Sequence, residues 1–597
     1  MPQIRVAPRP QSGPGDPRPR SRWHNDLGGR RFALLVAVVV LLGTVPQLLA
    51  RPIPDVSWLL YAAERILDGA RPYVDVVEVN PPLIVWLNVC VAAIGRALGA
   101  SPLLIYRLAV IGGAVLSAIL CARILRHLLG LDPGRLGRWI VLLFLFAALP
   151  MVRTDFGERE HLLVLLASPY VLAAAARSRG VAMPAFELVV VGLLAGIGVA
   201  LKPYFVLLPL GIECFLALRA RSVRAWLRPE PAAMLIVGLA YLAAVLLLNP
   251  QYIHLTRLMG ELYAGYLRGP AWLTALLGEG AGLPLFALLA FAALRRRATH
   301  PELWDILAIA VVALLASALI QGKGWRYHFY PSMAYGAMLS GLILWDAQRP
   351  LSRLVEQVYA AACAAALVTV VLITAAACVR QSAAPHETRY DADPNYAELR
   401  RLIRNEAPGG TVLVLSSNMA SAFPLVPNSG ARWASRFPSV WLLPALYMDQ
   451  LRSDAPLVFR TPSEMGPAER YLNDAVAQDL SRFRPDLLVV LRAGPDRREM
   501  GIRRLDYLAY FSRDSRIAPS VSEYGWLADV DEYRVYRRGR AVGMPEPSTA
   551  GAATDVAVSA GWDGLRGVRL DSGVLVGLLI FVPLFAVALR RERHHAS

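Results

Sequence analysis

Cysteine is scarce in this chain, and so are acidic residues. The 597 residues include only five cysteines, and 45 Asp and Glu stand against 62 Lys and Arg. All five cysteines lie in or at the ends of apolar runs without the spacing of metal ligands, which argues against disulfides and against a zinc site. They are Cys90, Cys121, Cys214, Cys363 and Cys378. The polar region 379–570 lacks GxGxxG, GxxxxGK[ST] and GxSxG motifs, so nothing in it indicates a nucleotide-binding or hydrolase domain.

Long apolar runs are abundant instead. Hydrophobic residues make up 56% of the chain, charged residues only 18%, and the mean hydropathy is +0.43. The runs are roughly 17 to 25 residues long, which is enough to cross a bilayer. The net charge of +17 comes from arginine clusters between the runs, where the positive-inside rule places them, rather than from a nucleic-acid-binding surface. The sequence therefore predicts a polytopic α-helical membrane protein.

Composition divides the chain into four regions. Residues 1–31 are rich in Pro, Gly and Arg and are predicted to be a disordered basic cytoplasmic tail. Residues 32–378 form the transmembrane domain, whose first run is too long for a signal-peptide core and lacks a small-x-small exit. Residues 379–570 are predicted to be a soluble extracytoplasmic domain. Residues 571–597 are predicted to be a C-terminal transmembrane helix followed by a basic cytoplasmic tail.

The run at 81–99 decides the topology. If every run crosses, three later arginine clusters lie outside, opposite the arginine-rich N-terminal tail, which violates the positive-inside rule. If 81–99 lies along the interface or re-enters, those clusters lie inside. The run begins with Pro81-Pro82 and contains Arg96, which suits a juxtamembrane helix better than a span. We therefore expect about twelve transmembrane helices plus one juxtamembrane helix.

The polar region 379–570 has alternating helix and strand patterns. NYAELRRLIRNEA and PAERYLNDAVAQDLSRF have helical periodicity, and a shorter helix is expected near 500–513. TVLVLSS, RPDLLVVLRA and EYRVYRR are strand candidates. This pattern predicts a small α/β fold. We interpret it as a docking or acceptor-orienting module, with a catalytic domain as the alternative, since a fold alone carries no function.

Acidic residues cluster directly after the first membrane helix, in RPIPDVSWLLYAAERILDGARPYVDVVEVNPPL. Prolines before Asp55 end the helix and hold this residue at the membrane surface. The structural alternative is that Asp55 caps the amphipathic segment that follows it. A cap needs a single acid and does not account for Asp75, Glu78 and Asn80. We predict a functional role for Asp55 and leave both interpretations open for Asp75 and Glu78.

A second acidic set occupies the extracytoplasmic loop MVRTDFGEREH. Arg153, Asp155, Glu158, Arg159 and Glu160 crowd a short connection between two apolar helices, where ordinary turn residues would suffice. Ionisable groups at membrane depth are costly and tend to mark substrate paths. The alternative is a structural network in which the two arginines neutralise the acids. We expect functional roles for Asp155 and Glu158 in particular.

Cations form a third set on the same side. Lys202 lies between two apolar runs, where a snorkelling lysine is the alternative interpretation. Lys323, Arg326, His328 and Tyr330 lie together in QGKGWRYHFY. The glycines beside Lys323 allow the backbone to approach a ligand, although an interfacial aromatic belt would explain the aromatic residues. Such donors suit a phosphate held at the level of the lipid headgroups.

These motifs resemble a known family. The pattern D-x(8)-E-x(4)-G-x(2)-PY-x-D-x(2)-E-x-NPPL, followed by a basic loop and a DFGE loop, is similar to bacterial membrane glycosyltransferases with the GT-C fold. The closest are the group of protein O-mannosyltransferases and lipid A aminoarabinose transferases, which form glycosyltransferase family 39 with its relatives. The resemblance covers residues 32–345 and is most specific in the first loop. It implies a juxtamembrane helix near 81–99 and an external domain after the membrane core.

The resemblance also implies a reaction. A sugar would move from a polyprenyl phosphate in the bacterial cytoplasmic (inner) membrane to an acceptor on the periplasmic side: lipid A or lipopolysaccharide, a polysaccharide or a protein. Asp55 matches the family's first-loop aspartate and would be the general base. Asp155, with Glu158, matches the second acidic motif and would orient acceptor or donor sugar. A single displacement would invert the anomeric configuration.

The remaining candidates would bind the substrates. Lys202, Lys323 and Arg326 would stabilise the leaving phosphate, with His328 and Tyr330 as hydrogen-bond donors. The acceptor or sugar contacts would come from Asp75, Glu78, Asn80 and Arg153. The implied scheme requires neither a metal nor a cofactor, because protein cations carry the phosphate charge, and its partners are membrane lipids rather than nucleic acid.

The chain departs from the family pattern at two positions. Many members have Asp-Glu where this chain has Asp55-Val56, and a lysine where it has Asn80, so neither sugar nor acceptor transfers by analogy. Three other classes remain as alternatives: a ligase or polymerase using lipid-linked oligosaccharides, a lipid-linked sugar flippase, and a membrane anchor presenting the polar domain. A flippase would place basic residues inside several helices, whereas here they lie at helix ends.

Overall fold

The computed structural model describes residues 29–539, except for 131–133, 266–279, 352, 384–393, 454–456, 494–496 and 500–501. Residues 1–28 of the predicted N-terminal tail and the C-terminal helix near 572–589 therefore lie outside the described residues. The tail boundary at residue 31 was wrong, because residues 29–31 already belong to the first helix. The α-helices described in the first part are α1 Gly29–Leu49, α2 Pro54–Leu67, α3 Pro82–Leu98, α4 Pro102–Leu129, α5 Gly134–Ala148, α6 Arg159–Ser178, α7 Ala185–Ala200, α8 Leu207–Ala220, α9 Pro229–Leu248, α10 Pro250–Gly265, α11 Gly282–Leu294, α12 Pro301–Ile320, α13 Arg326–Asp346 and α14 Leu354–Ala383.

Seven of the described helical segments are long and apolar enough to cross a membrane. They are Gly29–Leu49, Pro102–Leu129, Arg159–Ser178, Pro203–Ala220, Pro229–Leu248, Pro301–Ile320 and Leu354–Ala383. The chain is thus a multi-pass membrane protein, as predicted, while the count of about twelve crossings stays a prediction.

Prolines set where many of these helices begin. Pro54, Pro82, Pro102, Pro229 and Pro301 all stand at the first or second helical position, where the missing N–H costs nothing and the fixed φ favours the helix. The Pro81-Pro82 pair therefore starts α3 rather than interrupting it. α3 has 17 residues and is among the shorter apolar helices. Its lying along the interface stays a prediction.

The second part of the chain folds into an α/β domain, which confirms the predicted class. A five-stranded sheet has the order β2-β1-β3-β7-β6, with β1–β3 parallel and β6 and β7 antiparallel. Its strands are β1 Thr411–Leu415, β2 Arg432–Trp433, β3 Leu487–Leu491, β6 Tyr524–Val530 and β7 Tyr533–Arg538, and a separate hairpin joins β4 Arg498–Glu499 to β5 Ile502–Arg503. The helices are α15 Pro394–Glu406 and α16 Pro467–Phe483, with shorter ones at Leu425–Asn428, Leu442–Leu446, Met448–Arg452, Tyr507–Phe511 and Ala518–Ser522.

The patterns in this domain predicted the long elements better than the short ones. α15, α16, β1, β3 and β7 lie where periodicity placed them. The helix expected near 500–513 was wrong in extent, because Ile502–Arg503 belongs to a hairpin strand and only Tyr507–Phe511 is helical. β6 was missed because Gly525 and Asp529 interrupt its apolar pattern.

The α/β domain packs directly on α2. The ring of Phe423 lies 5.2 Å from that of Trp58 and 5.4 Å from that of Tyr61. The Trp433 backbone N–H donates to the Tyr61 hydroxyl at 3.2 Å. The domain therefore rests on the helix that carries Asp55, and we refer to this end of the membrane helices as the domain end.

Candidate active site

Asp55 lies in the first turn of α2 but does not cap it. The N-cap position falls on Ile53, and no side chain makes a capping hydrogen bond there. Because Pro52 and Pro54 fix the chain just before the helix, the Asp55 carboxylate is held at the helix start. Its side chain is 34% exposed, so it remains accessible at the domain end. This geometry removes the capping interpretation.

The second acidic loop is shaped by a glycine. Gly157 has φ +85°, a left-handed conformation that side chains rarely adopt, and a Cβ there would meet the Tyr106 ring at 2.5 Å. The Tyr106 hydroxyl donates to the Gly157 carbonyl. This tight contact turns the chain so that Glu158, Arg159 and Glu160 enter the protein interior at the start of α6, each 3% exposed or less.

Arg159 connects the two acidic motifs. Its Nη2 lies 3.0 Å from Glu158 Oε2 and 3.7 Å from Asp55 Oδ1. A buried guanidinium between two carboxylates neutralises part of their charge and fixes their separation. The arginine that the sequence offered as a neutralising partner thus lies at the centre of the site.

The two lysines complete the cluster. Lys202 Nζ donates to Glu160 Oε1 at 2.6 Å and lies 5.3 Å from the centre of the Tyr327 ring. Lys202 is 8% exposed, which is not the position of a snorkelling side chain. Lys323 Nζ lies 4.7 Å from the centre of the Trp325 ring. We call Asp55, Glu158, Arg159, Glu160, Lys202, Lys323 and His328 the charged cluster.

The amino-acid composition of the chain also singles out these two lysines. Only two of the 62 Lys and Arg residues of the whole chain are lysines, and both belong to the charged cluster. At all the remaining Lys or Arg positions the chain has arginine. Only these two positions have the compact, rotatable ammonium group of lysine. An ammonium binds a phosphate oxygen as a point charge and titrates more readily than a guanidinium.

Several buried polar atoms of the cluster have no partner among the described residues. They are Arg159 Nε and Nη1, Glu160 Oε2 and His328 Nδ1. His328 Nε2 is 3.9 Å from Glu160 Oε1, so these two side chains are neighbours in the cluster. Leaving such groups unpaired costs free energy. The arrangement therefore fits a polar ligand with both acceptor and donor atoms.

Burial shifts the pKa values of the groups in the loops. Burial raises the pKa of Glu158 to about 8, against the opposing charge of Arg159. Burial, together with the charges of Lys202 and Arg159, lowers the pKa of Lys323 to about 7. The pKa of Lys202 is also lowered by burial, although Glu160 opposes this. Glu158 and Lys323 therefore exchange protons near neutral pH, and a bound anion would favour the cationic form of Lys323.

Three predicted residues are engaged outside this cluster. Arg326 pairs with Asp155 and also donates to the Met151 carbonyl at 3.2 Å. Burial raises the pKa of Asp155 while Arg326 opposes the shift. The Tyr330 hydroxyl donates to the Ala147 carbonyl at 2.7 Å. The roles predicted for these three side chains stay predictions, since each already has a protein partner.

The first-loop acids have separate surroundings. Glu78 accepts from Trp58 Nε1 at 2.6 Å and from the backbone and side-chain nitrogens of Asn80 at 2.7 and 2.6 Å. Asp75 lies between Arg71 and Arg482, both at 2.9 Å, and its pKa is held below its usual range. Asp75 therefore ties the loop to the α/β domain.

Arg153 lies at the edge of the second loop. It has φ +54°, and its carbonyl accepts from Gln47 Nε2 at 2.7 Å. Among the described residues, no group of three or more His, Cys, Asp or Glu is arranged to hold a metal ion.

Sequence reasoning missed Arg159 and Glu160 as central residues. Their neighbours in the chain gave no sign of which way each side chain points, because this depends on the turn at Gly157. The scarcity of lysine, which was not used as a signal, could have indicated where the cluster lies, since both lysines belong to it.

No protein-family model matches this chain, and no curated protein sequence matches it. Among solved structures, the crystal structure of ArnT from Cupriavidus metallidurans bound to undecaprenyl phosphate is similar, with a TM-score of 0.52 and 15% identity over 86% of this chain and 99% of that one. The apo form of the same protein has a TM-score of 0.51 and 16% identity over 84% of this chain and 97% of that one. The chain has a GT-C-like fold, as its motifs predicted.

Proposed function

We propose that this chain is an integral membrane glycosyltransferase. It moves a sugar from a polyprenyl-phosphate donor to an acceptor hydroxyl, on lipid A or lipopolysaccharide, a polysaccharide or a protein. It lies in the bacterial cytoplasmic membrane, with the domain end facing the periplasm. The fold of ArnT, whose crystal structure contains undecaprenyl phosphate, supports this class of donor.

The charged cluster is the observation that carries the proposal. It combines an accessible carboxylate, Asp55, with the only two lysines of the chain and with buried donor atoms that lack partners among the described residues. A glycosyl transfer from a lipid phosphate requires a base for the acceptor and cations for the leaving group. These requirements match the residues that the fold brings together.

The reaction is a single displacement. The acceptor oxygen forms a bond to the anomeric carbon while its proton passes to the Asp55 carboxylate. The bond from the anomeric carbon to the phosphate oxygen breaks, and its electron pair leaves with the polyprenyl phosphate. Lys202 and Lys323 stabilise the charge that grows on this phosphate. Attack from the face opposite the leaving group inverts the anomeric configuration.

Arg159 has a supporting role in this scheme. By bridging Asp55 and Glu158 it orients the base before the acceptor binds. Its unpaired Nε and Nη1 are available to the donor. Asp155 and Glu158 orient the sugar or the acceptor, as the family resemblance implies.

The experiment compares wild type with Asp55→Asn in membranes of a host lacking the gene. Mass changes are measured across lipid A, surface polysaccharide and envelope proteins at matched expression. Asn keeps the shape of the side chain but cannot take the proton, so transfer should fall by about 10²-fold or more. Asp68→Asn is the matched control, because Asp68 ends the same helix in a surface pair with Arg96 and is 62% exposed.

Transfer by wild type and Asp68→Asn, with loss in Asp55→Asn, would support the proposal and identify the acceptor. Equal transfer by wild type and Asp55→Asn would remove Asp55 as the base. If wild type adds no mass to any fraction, the transferase proposal itself is wrong.

A further inference from the structure

A cavity lies beside the charged cluster, at the domain end of α1, α4 and α14. Its volume is about 230 Å³, and its walls come from five separate segments of the chain. Ile53 at the N-cap of α2 and Val56 on α2 contribute one side, and Thr154 and Phe156 contribute another. These residues flank Asp55 and Asp155, but neither Lys202 nor Lys323 lines this cavity. It is therefore a separate space that shares two walls with the candidate active site.

The polar groups that line this cavity favour an anion. Arg51 and Arg107 supply two positive charges, Gln47, Thr154 and Gln381 supply neutral polar groups, and none of the described lining residues is acidic. Ile53, at the N-cap of α2, also lines it, and no side chain caps that helix. Backbone N–H groups at an uncapped helix start add to the attraction for negative charge.

Arg107 also has a structural contact. Its guanidinium donates to the carbonyls of Leu48 and Ala50 at the end of α1, to Leu48 at 3.1 Å. A guanidinium carries five N–H donors in a planar fork, so these two bonds leave donors for a ligand. The contact holds α1 against α4 and so fixes the spacing of the cavity.

The apolar surface next to the cavity indicates what kind of molecule carries the anion. Leu48 and Leu49 on α1, and Leu104 and Leu108 on α4, are exposed side chains adjacent in sequence to the lining residues. In a membrane these side chains face hydrocarbon. A ligand whose head lies between Arg51 and Arg107 can therefore extend its chains along α1 and α4.

We propose that this cavity binds the headgroup of a phosphate-bearing lipid, separately from the donor phosphate at the two lysines. Two sources share this chemistry, namely a membrane phospholipid and the polyprenyl-phosphate carrier itself. Arg51 and Arg107 hold the phosphate, since arginine matches phosphate oxygens in a bidentate fork. Through Ile53, Val56 and Thr154 the bound head supports the walls of the neighbouring site.

The test measures lipid retention by the purified full-length protein in neutral detergent, by native mass spectrometry. The probes are phosphatidylglycerol, undecaprenyl phosphate and, as the zwitterionic control, phosphatidylcholine. Arg51→Gln removes one charge, and Thr154→Glu places a carboxylate in the cavity while both arginines remain. Arg380→Gln is the matched control, because Arg380 precedes Gln381 at the end of α14, bonds to Ala376 at 3.3 Å and does not line the cavity.

We expect phosphatidylglycerol affinity to fall about ten-fold or more in Arg51→Gln and in Thr154→Glu, but not in Arg380→Gln. Lys323→Met should weaken only undecaprenyl phosphate, which would identify a phospholipid as the occupant here. If the two cavity variants weaken undecaprenyl phosphate and Lys323→Met does not, the cavity holds the carrier and the donor site was misplaced. Unchanged affinity of both cavity variants for both anionic lipids, with normal thermal unfolding, overturns this proposal and leaves the glycosyltransferase proposal standing.

Discussion

Two buried glutamates, one in each half of the molecule, have opposite surroundings. In the α/β domain, Glu469 is fully buried on α16. It accepts hydrogen bonds from the hydroxyls of Tyr447 at 2.6 Å and Tyr510 at 2.8 Å and pairs with Arg460 at 3.0 Å. Both carboxylate oxygens are therefore satisfied by the fold itself.

Glu160, at the start of α6, is equally buried and only half satisfied. One oxygen accepts from Lys202 at 2.6 Å, whereas Oε2 has no partner among the described residues. Arg159 and His328 beside it also have unpaired buried atoms. Burying charge is costly, and proteins normally complete such networks.

The difference separates charges that serve the fold from charges that await a ligand. A completed network around Glu469 stabilises the α/β domain and leaves nothing to bind. The incomplete network around Glu160 retains binding capacity at a cost in stability, which is typical of functional sites.

The largest effect is expected from removing the cation that pairs with Glu160. Lys202→Met leaves Glu160 buried without its cation, so the free energy of unfolding should fall by about 3–5 kcal/mol. Transfer per folded molecule should fall by about 10²-fold or more, since a phosphate-stabilising cation is lost. Thermal unfolding in detergent and the transfer assay measure the two effects separately.

The double variant Lys202→Met/Glu160→Gln is the control for stability. Removing both charges should return most of the stability but not the transfer. Restored transfer in the double variant would show that Lys202 serves only as a partner for Glu160.

A substitution at Glu469 is expected to change the stability of the protein but not its transfer activity. Glu469→Gln keeps the side-chain size but weakens the bonds from Tyr447 and Tyr510, so the free energy of unfolding should fall by about 1–3 kcal/mol. Transfer by the folded fraction should equal that of wild type. A selective loss of transfer, with unfolding unchanged, would contradict the structural role assigned to this network.

The affinity of the charged cluster for the donor is expected to depend on pH. With its pKa lowered to about 7, Lys323 loses its proton in the empty site as pH rises from 7 to 9, and binding of a phosphate must restore it. Over the same range Glu158, with a pKa of about 8, gains negative charge. Affinity for undecaprenyl phosphate should therefore fall with rising pH, by at most about ten-fold per pH unit for each group.

Lys323→Arg tests the lysine's share of that dependence. A guanidinium keeps its charge throughout this range, so the decline from pH 7 to 9 should become shallower while the part due to Glu158 persists. Binding isotherms at several pH values measure the slope. An unchanged slope would assign the whole dependence to other groups.

The smallest effect is expected at an exposed pair on the α/β domain. Arg516 contacts Asp474 at 2.6 Å and Asp514 at 2.7 Å but is 54% exposed. Arg516→Gln should change the free energy of unfolding by less than about 1 kcal/mol and leave transfer unaffected. A destabilisation as large as that of Glu469→Gln would mean that exposure does not separate the two kinds of charge network.

Local patterns predicted the elements where one physical requirement dominated. PAERYLNDAVAQDLSRF became α16, Pro467–Phe483, because its apolar spacing and its starting proline agree. β6 and the hairpin at 498–503 were not predicted, because Gly525 and Asp529 interrupt the apolar pattern of β6 and each hairpin strand has only two residues.

The sequence by itself determined that this is a multi-pass membrane protein with an α/β domain, since hydrocarbon thickness and backbone hydrogen bonding leave few other structures for such runs. It also indicated Asp55, Lys202 and Lys323 as candidate site residues. Only the tertiary structure decided that Arg159 joins Asp55 to Glu158, and that Lys202 meets Glu160. Those contacts join loops more than forty residues apart, and the direction of a side chain at a loop depends on packing, such as that of Gly157 on Tyr106, which no local pattern encodes.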